Sequence, residues 1–325
     1  MKFLCQIYEY QKKCFLLINN SFYICRMILD FRLLVFKTVA QKGSFTKAAD
    51  ELSISQPAVS KHINELETQL GGPLFIREIG KITLTEKGEK LLEYSKRILY
   101  LYRCINEELT QNGERFSGTL SIGASSTISQ YVLPEIVARF KNEHPEIKIT
   151  IKSGNSEQIE KMLTYGEIDF GIIEGRSNKA GLHYEHFADD EIVLVCADRN
   201  ENKELTELTL EKLSCLPLVI REYGSGTLDV IEHAIELHGK SLKNMNIEIQ
   251  FGSTESIKRY LSNSESFAMI SISAIRSELK ERKLKVIEIK DLEIFREFRF
   301  ISKQGDHSKL SELFKQFCLK NYTIK

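Results

Sequence analysis

"SISQPAVSKHI", residues 53–63, sets a proline where an amphipathic helix should be running. Val59, Ile63, Leu66 and Leu70 recur at i, i+4, i+7 and i+11, one stripe of a helix. Pro57 fits that helix only near its start, where first-turn donors have no partner inside the helix and a missing N–H costs little. Ser55 stands just before the stripe, and its hydroxyl can accept from the Ala58 amide as an N-cap. Gly71 and Gly72 end the segment, so the spacing predicts a helix over about Gln56–Leu70. At 100° per residue, Pro57, Ser60, Lys61, Asn64 and Thr68 lie opposite the apolar stripe, with Gln56 at the exposed tip. For an isolated helix this would be a solvated face.

The residues before it change the weighing. In "GSFTKAADEL", residues 43–52, Ser44 can cap a second helix carrying Phe45, Ala48, Ala49 and Leu52. The two alanines are small enough for another helix to approach closely, and only "SIS" separates the two helices. Helices joined by so short a turn form a helix-turn-helix, whose second member enters the DNA major groove. "FRLLVFKTVAQ", residues 31–41, supplies Leu34, Phe36 and Val39 as supporting core.

"FKTVAQKGSFTKAADELSISQPAVSKHINELETQLGGPLF" (residues 36–75), followed by "ITLTEKGEKLL" (82–92), resembles the winged helix-turn-helix of LysR-type transcriptional regulators. Small, apolar, polar and glycine positions match together, and the family's layout extends from Met27 to the C-terminus. The resemblance implies an α/β chain with an all-α, winged-helix N-terminal domain (27–85), a long linker and dimerisation helix (86–112), and a two-lobed effector domain (118–325) like the type 2 periplasmic solute-binding proteins. Lobe I would take about 118–189 and 295–325, and lobe II about 190–294, with crossings near 188–191 and 290–295. It implies sequence-specific binding to double-stranded promoter DNA, a small-molecule effector, a homodimer or homotetramer, RNA polymerase as a further partner, and a cytoplasmic, nucleoid-associated place in a bacterium. Neither a cofactor, a metal, an enzymatic activity nor a membrane partner is implied. Gln56 can hydrogen-bond adenine and Pro57 can press on a thymine methyl. The DNA-contacting set is Ser44, Thr46, Ser55, Gln56, Pro57, Ser60, Lys61 and Asn64, with Arg77 and Lys81 of the wing "GPLFIREIGKITLTEKG" (72–88), a hairpin turning at Gly80, placed to touch phosphates.

Composition limits what else the chain can be. The 325 residues carry 45 basic and 45 acidic side chains, so any DNA-binding surface must be local; Lys42, Lys47, Lys61, His62, Arg77 and Lys81 are its candidates. No apolar run reaches the roughly 18 residues of a membrane span. The seven cysteines are scattered and contain no CxxC pair, which suits free thiols. Cys196 and Cys215 sit in apolar contexts, "EIVLVCA" and "CLPLVI", and read as buried and inert. The first 26 residues have no counterpart in the family pattern and do not read as a signal peptide, because Asn19, Asn20 and Ser21 interrupt the apolar stretch; the expected start is Met27.

Residues 86–112 lack proline and carry Leu91, Leu92, Tyr94, Ile98, Leu99, Leu101, Tyr102 and Ile105, more apolar surface than one flank needs. After a polar linker at 111–118, "TLSIGA", "IKITIKSG", "IDFGIIEG", "EIVLVCA", "LPLVIRE", "IEIQFGS", "FAMISISAI" and "FREFRFISK" read as strands alternating with helices, the mark of a parallel sheet. The first of these helices is expected near Ser129, and a closing helix at 308–320.

Three strand–turn–helix junctions are candidate effector contacts. They hold Ser125, Ser126 and Thr127; Gly224, Ser225, Gly226 and Thr227; and Ser253 and Thr254. Helix N-termini offer free N–H groups to an anion, ligands of such sheets bind at the carboxyl ends of the strands, and an anionic effector is the first class to consider. Each hydroxyl could equally be an ordinary N-cap. Where relatives follow "GSGT" with arginine, Leu228 stands here, which removes an expected cation. His183 and His186 have ligand-like spacing but no third ligand pattern, and GxSxG, Walker A and HExxH sequences are absent. The alternative to a regulator is a solute-binding or enzymatic α/β protein with an accessory helical domain. It leaves residues 31–90 unexplained.

Overall fold

The computed structural model describes residues 30–78, 81–110, 117–199, 204–305 and 308–322. The expected start at Met27, the Gly80 turn and the linker 111–116 lie outside the described residues. The chain divides into two compact units, Met1–Asn112 and Gly113–Lys325.

In the first unit, α1 (Phe31–Lys42), α2 (Phe45–Leu52) and α3 (Gln56–Leu70) precede a two-stranded hairpin, β1 (Phe75–Glu78) and β2 (Lys81–Leu84), and the long α4 (Glu86–Thr110). Each short helix starts on a side-chain cap. Asp30 accepts from Arg32 N, Ser44 from Lys47 N and Ser55 from Ala58 N. Pro57 occupies the first turn of α3, where its missing donor leaves no helical bond unmade. Val59, Ile63 and Leu66 are buried with Phe36, Val39, Ala48, Ala49 and Phe75 in one apolar cluster; each fully buried aliphatic side chain contributes about 1.5–3 kcal/mol. The stripe stops one step early. Leu70 is 43% exposed, since Gly71 ends the helix beyond the reach of the core. The hairpin pairs antiparallel, Phe75 opposite Leu84 and Glu78 opposite Lys81. The Thr85 hydroxyl accepts from Gly88 N at 3.0 Å and donates to the Pro73 carbonyl at 2.8 Å, which starts α4. Gly88 is required there, because a Cβ would run into the Leu74 carbonyl. Farther along α4, Tyr94, Ile98, Leu101 and Ile105 are exposed at steps of four, three and four.

The second unit is built on one sheet with strand order β4-β3-β5-β12-β6-β10-β8-β9, β11 pairing β6 and β7. The strands are β3 (Gly118–Ser125), β4 (Ile147–Gly154), β5 (Phe170–Glu174), β6 (Leu182–Ala197), β7 (Glu207–Leu208), β8 (Leu218–Arg221), β9 (Ile247–Phe251), β10 (Phe267–Ser271), β11 (Leu284–Ile289) and β12 (Ile294–Lys303). The helices are α5 (Leu133–Glu143), α6 (Ser156–Thr164), α7 (Leu210–Cys215), α8 (Gly226–Leu237), α9 (Thr254–Leu261), α10 (Arg276–Lys280) and α11 (Lys309–Asn321). β3 runs parallel to β4 and β5, and β8 parallel to β9 and β10. Two long strands, β6 and β12, pair antiparallel through the middle. Phe187, Ala188 and Phe298 belong to the apolar cluster of one half, Ile192 and Ile294 to that of the other. The two crossings between lobes are therefore continuous strand at 189–191 and 295–297, the second a few residues after the place read from the sequence.

Helical turns begin at Ser126 rather than Ser129 and pass through a π-helical turn, Ile128–Val132, before α5. Strand β11 and the short helices α7 and α10 have no counterpart in the sequence reading. Cys196 is buried as expected, but Cys215 is exposed at the end of α7, and neither is in a disulfide.

Candidate functional site

The polar face of α3 is presented as the helical spacing requires. Gln56, Pro57, Lys61, Asn64 and Thr68 are exposed and Ser60 half-buried. Gln56 Nε2 donates to Ser60 Oγ at 3.0 Å and Thr68 Oγ1 to the Asn64 carbonyl at 2.8 Å. These residues line an open groove of about 700 Å³ together with Arg32 of α1. Nothing in the sequence singled out Arg32. It reaches the groove from the first turn of α1, and Asp30 holds its guanidinium through Nε at 2.9 Å and Nη2 at 2.8 Å. That guanidinium in turn keeps the Asp30 carboxyl below its usual range.

The other residues read as DNA contacts have mixed surroundings. Thr46 is exposed, while Ser44 and Ser55 are spent on helix caps. Arg77 lies over the Phe45 ring at 4.6 Å, and Lys81 is exposed on β2. Two of the basic candidates change character. Lys42 is paired with Glu51. His62 packs edge-to-face on Phe31, centroids 5.4 Å apart, and burial pushes its pKa down, which favours the neutral ring.

In the second unit the three junctions meet at the carboxyl ends of the strands. The Arg221 guanidinium, at the end of β8, is buried among them. It donates to Ser126 Oγ at 2.9 Å and Thr254 Oγ1 at 3.2 Å, and pairs with Glu222 through two bonds of 2.8 and 3.0 Å. Leu228, where a cation was missing, is itself buried in the core on α8, and the buried cation near the junctions is Arg221 of β8. Beside it, Arg296 of β12 donates to Asp190 Oδ2 at 2.8 Å and Thr227 Oγ1 at 2.7 Å, with Glu174 at 3.7 Å. Asp190 also accepts from Ser271 and Ser273. The Ser125 hydroxyl donates to the Glu174 carboxylate. Gly226 opens α8 against the Glu174 carbonyl and Ser156 Oγ, so close that a Cβ would overlap both, and the Gly224 carbonyl accepts from Glu157 N at 3.3 Å.

The hydroxyls at the junctions differ in what they do. Ser253 caps α9, accepting from Ser256 N at 3.2 Å, so the ordinary cap explains it. Ser225 holds the cap position of α8 but makes no cap bond. Its Oγ, Thr127 Oγ1 and Arg296 Nη2 are buried with no hydrogen-bond partner among the described residues. A junction edge also bridges the lobes. Tyr131, in the π-helical turn, donates to Glu255, and burial followed by that carboxylate pushes its pKa up. Lys258 lies 4.8 Å over the Tyr131 ring.

The model for bacterial regulatory helix-turn-helix proteins of the lysR family matches residues 32–89, and the model for the LysR substrate binding domain matches residues 113–323. The chain belongs to the LysR family of transcriptional regulators. Members of this family are transcription regulators rather than enzymes, and this one has a helix-turn-helix DNA-binding domain and an effector-binding domain. The helix-turn-helix match accounts for residues 31–90, which the solute-binding or enzymatic alternative left unexplained. HTH-type transcriptional regulator CysL of Bacillus subtilis is 30% identical over 291 residues, 89% of this chain and 96% of that protein. A probable RuBisCO transcriptional regulator of Emiliania huxleyi is 33% identical over 268 residues, 82% of this chain and 85% of that one. Among solved structures, a full-length OxyR variant of Pseudomonas aeruginosa superposes with a TM-score of 0.73 at 19% identity, covering 91% of this chain and 96% of that one. CbnR in complex with its target DNA gives 0.66 at 18% identity, covering 91% of this chain and all of that one. At those identities the two structures speak to the fold.

Of the histidines weighed as metal ligands, His183 joins no ligand group among the described residues, whereas this LysR-type chain brings Asp189 and Glu297 to His186. All three are exposed, and His186 Nε2 is 3.0 Å from Asp189. Among the described residues no helix is long and apolar enough to cross a membrane.

Proposed function

We propose that this regulator binds a two-fold promoter site as a homodimer or homotetramer, with α3 of each subunit in a major groove. Gln56, Pro57, Ser60 and Lys61 read base edges, Asn64 and Arg32 flank them, and Arg77 and Lys81 steady the wing on phosphates. The observation that carries this reading is the α3 face itself: an exposed row of amide, hydroxyl and ammonium groups beside a groove. The exposed stripe Tyr94, Ile98, Leu101 and Ile105 of α4 supplies the surface through which two subunits pair, since two recognition helices one DNA turn apart read a two-fold site. A small polar effector bound among Ser126, Thr127, Ser225, Thr227 and Thr254 shifts the lobes, and the paired α4 helices pass the change to the DNA. The bound regulator then acts on RNA polymerase, in the bacterial cytoplasm on the nucleoid.

The test is fluorescence anisotropy with DNA flanking the protein's own gene, against scrambled DNA, across a salt series. Cognate binding that outcompetes scrambled DNA and weakens steeply with salt supports the reading, because counterion release sets that slope. Gln56→Ala should lower discrimination by about 1–3 kcal/mol while scrambled-DNA affinity stays nearly constant. Equal loss on both DNAs removes Gln56 from the base-reading set.

A further inference from the structure

The polar cluster of the cleft has a charge imbalance that selects among effectors. Two guanidinium groups, Arg221 and Arg296, face three carboxylates, Glu174, Asp190 and Glu222, a net charge of −1. The adjoining group has the same sign of excess: one ammonium, Lys258, pairs with both Glu255 at 2.7 Å and Glu278 at 2.8 Å. A purely anionic ligand would add charge of the sign already in surplus, in a setting where desolvation makes unpaired charge costly.

The unused bonding capacity has both signs. Three donors are buried without partners among the described residues, Thr127 Oγ1, Ser225 Oγ and Arg296 Nη2, in residues that are 1%, 3% and 5% exposed. Ser225 and Thr127 stand at the openings of helices, where the first N–H groups also seek an acceptor. One acceptor is under-used: Glu174 Oε2 takes the Ser125 hydroxyl, but Oε1 has only the Arg296 guanidinium at 3.7 Å among the described residues. Asp190, by contrast, is filled by Arg296, Ser271 and Ser273. The lobes already touch at one edge of the cluster. Arg176 N donates to Asp229 Oδ2 at 2.9 Å, and Gly226 lies on the Glu174 carbonyl. That favours a small ligand.

We infer that the effector is a small zwitterion of the α-amino acid class. Its carboxylate accepts from Thr127, Ser225 and Arg296 Nη2, and its ammonium is held by Glu174. A zwitterion satisfies donors and acceptor together and leaves the net charge of the cluster unchanged. This inference rests on the effector-cleft reading given above.

The experiment is thermal unfolding and titration calorimetry of the full chain with a panel of L-α-amino acids, the N-acetyl form and methyl ester of each, inorganic phosphate and sulfate. At least one free amino acid raises the melting temperature saturably. Its N-acetyl form, which lacks the cation, and its ester, which lacks the anion, bind about a hundredfold more weakly or less, because each leaves a buried group unpaired. Glu174→Gln abolishes the difference between the free and N-acetyl forms. The wild-type panel decides the matter even if that variant folds poorly. Stabilisation by phosphate, sulfate or N-acetyl forms, equal to or above that by free amino acids, overturns the zwitterion and leaves an effector cleft for anions. No binding by any probe overturns the effector-cleft reading as well.

Discussion

The two proposed sites of this chain are built in opposite ways. The proposed DNA-reading face is one helix: Gln56, Pro57, Ser60, Lys61 and Asn64 lie within nine residues, exposed except for the half-buried Ser60, and almost none of them is needed to hold the fold. The proposed effector site gathers Ser126, Glu174, Asp190, Arg221, Thr227, Thr254 and Arg296 from across 171 positions of sequence, all buried and most bonded to one another. A surface site can change residues at little cost to stability, whereas a buried polar cluster fails if one member is removed.

That contrast can be broken by substitution. Arg296→Met strands Asp190 and Glu174 as buried carboxylates without their cation, and should destabilise the second unit by about 3–5 kcal/mol in denaturant unfolding. Ser60→Ala on α3 should change stability by less than about 0.5 kcal/mol. Similar losses from the two would erase the distinction. Gly226→Ala drives a Cβ into the Glu174 carbonyl and Ser156 Oγ, and about 1–3 kcal/mol of stability should go with it. A neutral result would mean that α8 can draw back from β5 freely. Ser55→Ala sharpens the comparison within the first unit. The cap is structural although its helix carries the proposed DNA-reading face, so about 1 kcal/mol of stability is lost, and the melting midpoint of the first unit should fall.

The smallest effect is a pH dependence. Burial holds the pKa of His62 below its ordinary value of 6.5, so between those two values the unfolded chain binds more protons than the folded one. The stability due to His62 is complete above pH 6.5 and is lost as the pH falls through the folded value. Unfolding of the wild type at about pH 7.5 and about pH 5.5 should show a decrease that His62→Gln flattens. An unchanged slope in the variant would assign the decrease to other groups.

Much of the first unit was legible because its signals are local. Ser44 and Ser55 mark helix starts through bonds to amides three residues on, and the 3.6-residue period separates Val59 and Ile63 from Ser60 and Lys61. Leu70 misled because periodicity states direction but not how far the core extends. Cys215 misled similarly, since "CLPLVI" is apolar just beyond it while the cysteine itself ends a surface helix. Strand β11 is half-buried and interleaved with Lys285 and Glu288, so its pattern is weak. In the cleft the sequence offered the hydroxyls and glycines of the three junctions. It could not tell Ser253, a working cap, from Ser225, a free hydroxyl, because the difference lies in the turn geometry of each helix start.

By itself the sequence determined the helix-turn-helix, the face its second helix presents, and the alternation of strands and helices that follows, because capping, period and propensity act over a few residues. Only the tertiary structure decided that Arg32 joins the α3 groove, that the Arg221 guanidinium lies between Ser126 and Thr254, and that Glu174, Asp190 and Arg296 converge beneath the junctions. Those meetings depend on the order in which strands join the sheet, above all on β12 returning between β5 and β6, and no local interaction encodes that order.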